Sequence, residues 1–251
     1  MRGLGTLLNL ITVACGGIAG VLIGARLPER ARRTIMQGLG LVTVAVAIVG
    51  LEPLGHADLG LRRFVIMIVA VIAGAIAGEA LRLEDRLEQA GEALRARVVP
   101  APERSAGRSR QETGDHSRFV DGFVVASTVF CVGPLTVLGA IEDGLGRSVR
   151  LLAIKSSLDG IAAAGFGSVY GWGVLGSLLT IAILQGTLTA AATLIAPVMT
   201  PEVLAELEAV GSLLVLGIGL RLLDVAHIRV VNLLPAIVIA PLLAGGVESI
   251  L

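Results

Sequence analysis

The stretch LLAIKSSLDGIAAAGFGSVYGW, residues 151–172, contains the only lysine of the chain within a long apolar segment. Lys155 and Asp159 are four residues apart, a spacing that puts both side chains on one face of an α-helix. A charged side chain near the centre of a bilayer costs roughly 2.5–3.5 kcal/mol on insertion scales. Because burying two charges in an apolar helix is costly, their presence at this spacing indicates that the pair has a structural or functional role.

The composition indicates a polytopic membrane protein. Apolar residues make up 55% of the chain and charged residues 16%, whereas soluble domains carry about 25% charged residues. The mean hydropathy is +0.87. The apolar runs are long enough for spanning helices, and 33 glycines favour close packing between helices in lipid. The fold class expected is therefore an all-α membrane helix bundle. The formal net charge is zero, so the overall charge says nothing about a binding partner.

Apolar windows predict about eight spans (seven to eight) and divide the chain into four parts. The spans are residues 4–26, 34–51, 64–83, 119–141, 150–171, 173–198, 207–223 and 229–247. The parts are a first membrane repeat (1–83), a charged cytoplasmic linker (84–118), two central helices (119–172) and a second membrane repeat (173–251).

The linker has two halves of different composition. Leu83, Leu87 and Leu94 follow helical spacing, which predicts that the third span continues into water as a helix. Residues 98–118 are charged and rich in Pro, Gly and Ser, which predicts a loose loop.

An internal similarity suggests an inverted repeat. PERARRTIMQGLGLVTVAVAIVG from Pro28 matches PEVLAELEAVGSLLVLGIGLRLL from Pro201, and the offset of 173 residues pairs Gly38 with Gly211. Spans 1–3 then correspond to spans 6–8, and a shift of five spans reverses their orientation. Inverted repeats recur in secondary transporters, with the binding site near the midplane. Chance similarity between glycine-rich helices is the alternative.

Lys155 and Asp159 are the first candidates for a functional site, together with the neighbouring hydroxyls of Ser156 and Ser157. A buried lysine tends to lose its proton unless a carboxylate is close. A ligand that separates the pair would therefore change its protonation, which is a physical basis for coupled transport. The structural alternative is an ion pair that only stabilises the helix.

The fourth span, FVDGFVVASTVFCVGPLTVLGAIEDGL, contributes further candidates. Pro134 cannot donate a backbone hydrogen bond, and Gly133 precedes it. These residues predict a kink, or a broken or re-entrant helix whose freed backbone groups face a permeation path. Ser127 and Thr128 lie about two turns earlier. Asp143 is expected at the outer end, in reach of the basic residues that follow it.

Polar residues in other spans complete the candidate site, or else they form hydrogen bonds between helices. They are Asn9 in span 1, Gln185 in span 6 and Asn232 in span 8. Cys15 and Cys131 form no CxxC motif, and the histidines show no metal-ligand spacing. Nucleotide-binding, nucleic-acid-binding and catalytic motifs are absent, so we expect neither an enzyme nor a cofactor nor a metal site.

Three segments resemble a known family. MRGLGTLLN at the start, FVDGFVVASTVFCVGPLTVLGAIEDGL in span 4 and LLAIKSSLDG in span 5 are similar to the YqgA/YdfK family, bacterial inner-membrane proteins with a domain of unknown function. The similarity extends over nearly the whole chain. It implies an inner-membrane location and an approximate architecture, but no established activity.

The function expected from these features is transport of a small solute or ion through a midplane site around Lys155 and Asp159. The alternatives are a passive, oligomeric channel and a structural or regulatory membrane protein that acts through its linker. The expected partners are membrane lipid, a small solute or ion and further copies of the chain.

Arginine distribution predicts the orientation. The loops after spans 1, 3 and 7 carry 14 arginines, whereas the opposite side carries five: Arg2, Arg62, Arg63, Arg147 and Arg150. Cytoplasmic loops are enriched in Lys and Arg, so the linker is expected in the cytoplasm and both termini in the periplasm.

We predict that a reporter fused after Leu251 is active in the periplasm and that a reporter inserted within residues 100–115 is active in the cytoplasm. Paired phosphatase and fluorescent-protein fusions measure this. A cytoplasmic carboxyl terminus would show that the spans are miscounted.

Overall fold

The computed structural model describes residues 2–55, 60–98 and 109–248. Within these ranges the regular secondary structure is helical, which confirms the all-α class. The α-helices in chain order are α1 (Leu4–Gly24), α2 (Glu29–Val49), α3 (Gly60–Leu81), α4 (Leu83–Val98), α5 (Ser109–Cys131), α6 (Pro134–Gly144), α7 (Arg150–Tyr170), α8 (Gly173–Ala190), α9 (Ala192–Ile195), α10 (Pro201–Leu222), α11 (Val230–Leu233) and α12 (Pro235–Glu248).

The helices have the length and surface of membrane spans. In the described part of the chain, α1, α2, α3, α8 and α10 are each long and apolar enough to cross a bilayer, and the bent pair α5–α6 raises the number to six. The other two predicted spans correspond to α7, which has 21 residues and contains the charged pair, and to the shorter apolar segment Val230–Gly246. Large apolar side chains are exposed around the bundle, as a lipid-facing surface requires; Ile161 and Leu194 are 71% and 80% exposed.

The closest helix contact joins α1 to α7 through small residues. Gly16, Gly20 and Gly24 of α1 lie against the backbone at Gly160, Ala164 and Ser168 of α7. Both series advance by four residues per turn, so the two helices run parallel and in register. Small side chains let helix backbones approach closely in lipid, and the four-residue glycine spacing of the sequence is therefore a packing face.

Three further pairs define the bundle. α5 runs parallel to α8, as the contact of Gly173 with Phe119 and the hydrogen bond of Thr180 to Ser127 indicate. α2 runs antiparallel to α10, and α3 runs antiparallel to α12. When the eight predicted spans are numbered in chain order, the parallel pairs join two odd-numbered or two even-numbered spans, and the antiparallel pairs join an odd-numbered to an even-numbered span. These are the directions expected of a chain that crosses the membrane at each of the eight spans.

The fourth span is a broken helix that crosses the bundle. α5 ends at Cys131 and α6 begins at Pro134, with a bend of 64° between them. Gly133 has a φ of 132°, a conformation that side chains with a Cβ rarely adopt. Farther along, Gly144 contacts Thr189 near the end of α8. Because α5 and then α6 meet successive parts of α8, α6 continues in the direction of α5, which favours a broken span over a re-entrant loop.

The linker differs from its predicted form in two respects. Arg82 adopts a φ of 49°, and this turn starts α4 as a separate helix. The three leucines have helical spacing as expected, but Leu83, Leu87 and Leu94 pack on the bundle against Phe123 and its neighbours instead of continuing into water. The loose loop predicted for residues 98–118 is helical from Ser109 onward.

We predict that Gly20→Ala destabilises the protein by about 1–3 kcal/mol, the usual cost of overpacking, because the added Cβ would overlap the Ala164 carbonyl. Gly38→Ala is the matched control, since nothing lies within 4 Å of its added Cβ. Thermal unfolding in detergent measures both variants. Equal stability of the two variants would contradict the close α1–α7 contact.

Candidate functional site

The break in the fourth span leaves a carbonyl without its helical partner. In a continuous helix the amide of residue 134 would donate to the Phe130 carbonyl, but Pro134 has no N–H. The Lys155 ammonium donates to this carbonyl instead, at an Nζ–O distance of 2.9 Å. The Thr136 hydroxyl approaches the same oxygen at 3.5 Å. The lysine of α7 therefore supplies the hydrogen bond that the proline removes from α5.

Lys155 also forms the ion pair predicted from its spacing. Its Nζ donates to Asp159 Oδ2, and the two residues are 5% and 7% exposed. The same carboxylate oxygen accepts a hydrogen bond from Asn9 Nδ2 of α1 at 3.1 Å. The structure thus brings Lys155, Asp159, Asn9 and the Gly133–Pro134 break into one buried polar site between α1, α5 and α7.

Gln185 lies at the level of Asn9 on the facing helix α8. The hydroxyls of Thr6 and Thr189 are 3.2 Å apart, and one turn farther into the bundle α1 carries Asn9 and α8 carries Gln185. Both amide side chains are 0% exposed. Asn9 Oδ1 and both amide atoms of Gln185 have no hydrogen-bond partner within the described residues. Buried polar atoms are rarely left unpaired, so these three atoms are the unsatisfied hydrogen-bonding groups nearest to the charged pair along α1 and α8.

The site lies between the N-terminal ends of α1 and α7 and the middle of the bundle. Asn9 is five residues from the start of α1, and Asp159 is nine residues from the start of α7. At a rise of 1.5 Å per residue these positions are roughly 8 and 14 Å along helices of about 31 Å. The charged pair therefore lies in the half of the bundle that holds the N-termini of α1 and α7, extending to about the midplane.

The predicted hydroxyl residues are only partly associated with this site. Ser156 is buried but donates to the Leu152 carbonyl of its own helix, whereas Ser157 is exposed on the outer face of α7. Thr128 likewise donates to a carbonyl of its own helix. Ser127 accepts a hydrogen bond from Thr180 at 2.9 Å and joins α5 to α8 one turn before Cys131.

Asn232 belongs to a different polar cluster at the opposite end of the bundle. Its side chain donates to Glu79 at 2.7 Å and accepts from the Glu84 backbone amide at 2.9 Å. Arg221 donates to the Glu84 carboxylate at 2.9 Å. Burial raises the pKa of Glu84, while the positive charge of Arg221 acts in the opposite direction. This cluster connects α3, α4, α10 and α11, so the placement of Asn232 in the central site is wrong.

Asp143, expected at the outer end in reach of basic residues, is buried beside the start of α1. It is 1% exposed, and its Oδ2 accepts hydrogen bonds from the amides of Gly5 and Thr6 at 3.0 and 3.3 Å. It therefore caps the N-terminus of α1, where a carboxylate is favourable. The local sequence has Gly3 and no capping side chain at this N-terminus, a signal that the cap comes from elsewhere in the chain.

Comparison with known proteins matches the chain to one family. The family described as "Protein of unknown function (DUF554)" matches residues 4–245. "Uncharacterized protein YqgA" of Escherichia coli (strain K12) is 31% identical over 237 residues, 94% of each chain. "Uncharacterized membrane protein YdfK" of Bacillus subtilis (strain 168) is 24% identical and covers 94% of this chain and 93% of its own. No solved structure matches. The resemblance seen in the sequence is confirmed, and the chain belongs to the DUF554 family.

Proposed function

We propose that this protein transports a small solute or ion across the bacterial inner membrane through the site formed by Lys155, Asp159, Asn9 and Gln185. One observation supports this proposal above the others. A fully buried ion pair in the membrane is accompanied by amide atoms that have no partner among the described residues.

The unpaired atoms favour a binding site over a purely structural ion pair. An unsatisfied buried donor or acceptor costs about 1–3 kcal/mol, and lipid offers no water to compensate. The structural role of the pair is complete once Lys155 bonds Asp159 and the Phe130 carbonyl. Nothing in that role requires Gln185, whereas a bound solute, ion or water would use its amide.

The geometry also suggests which solutes would compete with the Lys155 ammonium for its hydrogen-bond acceptors. The Lys155 ammonium lies between the Asp159 carboxylate and the Phe130 carbonyl, which has no helical donor. A monovalent cation, or the ammonium group of a solute, would use the same two oxygens. Such a cation would displace the Lys155 ammonium from the Asp159 carboxylate.

The burial of the pair favours a carrier over an open channel. Lys155 and Asp159 are nearly inaccessible in this conformation, whereas residues of a permanently open pore contact water. Access therefore requires movement of a helix, and the break between α5 and α6 provides a hinge. Ungated conductance would favour the channel alternative.

The arrangement of helices supports the inverted repeat as part of the same proposal. A two-fold axis in the membrane plane that exchanged α1 with α8 and α7 with α5 would relate the two parallel pairs, α1–α7 and α5–α8. The antiparallel pairs α2–α10 and α3–α12 would each lie across that axis. In this proposal both termini are periplasmic, the arginine-rich linker is cytoplasmic and the chain is not an enzyme.

We predict that Lys155→Met and Asp159→Asn each destabilise the protein by about 3–5 kcal/mol, because each leaves one charge buried without a partner. The double variant should recover most of this stability, short of the hydrogen bond from Lys155 to the Phe130 carbonyl, and still fail to transport. Purified proteins in liposomes are compared by thermal unfolding and by uptake of sodium, potassium and amino acids. Proton counterflow is followed with a pH-sensitive dye in the vesicle lumen.

The double variant distinguishes the two roles of the pair. Full flux in a stable double variant would refute a transport function for the pair and favour the structural role. A stable double variant without flux is the expected result.

We predict that Gln185→Met leaves stability unchanged or raises it by about 1 kcal/mol, because it removes polar atoms that have no described partner and whose burial is costly. Its flux should nevertheless fall. Ser157→Ala is the matched control, because Ser157 is exposed on the lipid side of α7 and both its stability and its flux should remain. Loss of stability without loss of flux in Gln185→Met would contradict a binding role.

A further inference from the structure

A cavity lined by three arginines lies where α7 ends. Its volume is about 380 Å³, and the ends of α1 and α7, the start of α8 and parts of α2, α4 and α5 surround it. Arg32, Arg95 and Arg118 line it together with Tyr170 and Trp172. These five residues are called the arginine pocket below. The positive-inside rule predicts that this end of the bundle is cytoplasmic.

Two of the arginines cap helix ends. Arg32 Nη2 donates to the Gly24 carbonyl at 2.6 Å, and Arg118 Nη2 donates to the Val169 carbonyl at 3.1 Å. Cations are favourable at helix C-termini, so capping accounts for part of the arrangement. Each guanidinium, however, has five N–H donors. Arg32 Nε is buried and has no partner within the described residues.

Capping does not explain why three positive charges share one cavity. Within the described residues, the ion pairs of Lys155, Arg221, His227 and Arg229 include no arginine of the pocket. Arg32, Arg95 and Arg118 come from three different helices. Like charges disfavour one another in such a space, so an anion in the cavity would relieve their repulsion and use the remaining donors.

The aromatic residues at the pocket suit a position in the headgroup layer of a bilayer. Trp172 is 53% exposed at the junction of α7 and α8, and Tyr170 lines the cavity beside it. Tryptophan and tyrosine are enriched where a membrane meets water. Basic pockets between spanning helices on the cytoplasmic side suit phosphate-bearing headgroups.

We propose that the arginine pocket binds the phosphate group of an anionic phospholipid. The planar guanidinium forks of Arg32, Arg95 and Arg118 match phosphate oxygens in paired hydrogen bonds. The interfacial tryptophan and the surrounding apolar helices favour a lipid over free phosphate, because the acyl chains of a bound lipid remain in the bilayer. This inference is independent of the transport proposal, since it concerns separate residues at the other end of α7.

Native mass spectrometry of the full-length protein tests the proposal. Protein purified in detergent is mixed with phosphatidylglycerol, cardiolipin, phosphatidylethanolamine or inorganic phosphate, and retained ligand is counted for each. Thermal unfolding with the same additions gives a second measurement. The variants are Arg95→Gln and the triple variant Arg32→Gln, Arg95→Gln, Arg118→Gln. A control triple variant changes Arg26, Arg30 and Arg33 to Gln, which removes equal charge from exposed positions on the same side.

Wild type and the control triple variant should retain the anionic lipids and be stabilised by them, with little response to phosphatidylethanolamine. Affinity should fall about fivefold for each pocket arginine removed, the effect expected for one basic residue at a membrane surface. Arg95→Gln removes neither helix cap and keeps the test valid if the triple variant does not fold. Equal lipid loss in the control, or unchanged retention by Arg95→Gln, would overturn the proposal. Protection by inorganic phosphate equal to that by lipid would also overturn it, in favour of a free-phosphate site.

Discussion

The structure depends on one constraint, which is that a backbone carbonyl inside the membrane needs a hydrogen-bond donor. Pro134 removes the donor for the Phe130 carbonyl, and the Lys155 ammonium replaces it. The lysine in turn needs a negative charge, which Asp159 provides from the same helix. The break in one span and the charges in the next are therefore two parts of one hydrogen-bonded arrangement.

Close packing of α1 on α7 completes this arrangement. Glycines along α1 let its backbone approach α7, and this proximity allows the short side chain of Asn9 to reach Asp159. Asp143 caps α1 at its first turn and joins the end of α6 to the same helix. α1 is thus held at the central site in two ways. Its glycines pack on the backbone of α7, and its first turn is hydrogen-bonded to the buried carboxylate of Asp143 in α6.

Polar interactions at the two ends of the bundle have different roles. The cluster of Glu79, Glu84, Arg221 and Asn232 is closely hydrogen-bonded and connects helices from both halves of the chain. The arginine pocket has an excess of positive charge and a cavity. α7 links the pocket to the central site, because the charged pair lies near its start and its last turns line the pocket. A ligand at either place therefore contacts the same rigid helix.

The sequence by itself determined the all-α membrane class, the pairing of Lys155 with Asp159, the glycine packing faces and the break at Pro134. Each of these follows from composition or from contacts within one helix, where the 3.6-residue repeat fixes which side chains are neighbours. The inverted repeat and the orientation remain predictions.

Only the tertiary structure decided that Asn9 reaches Asp159, that Lys155 bonds the Phe130 carbonyl, that Asp143 caps α1 and that Asn232 lies in a separate cluster. It also placed α4 against the bundle instead of in water. These contacts join residues far apart in the chain. They depend on the rotation and axial shift of each helix relative to its neighbours, which close packing of the whole bundle sets and local sequence periodicity does not encode.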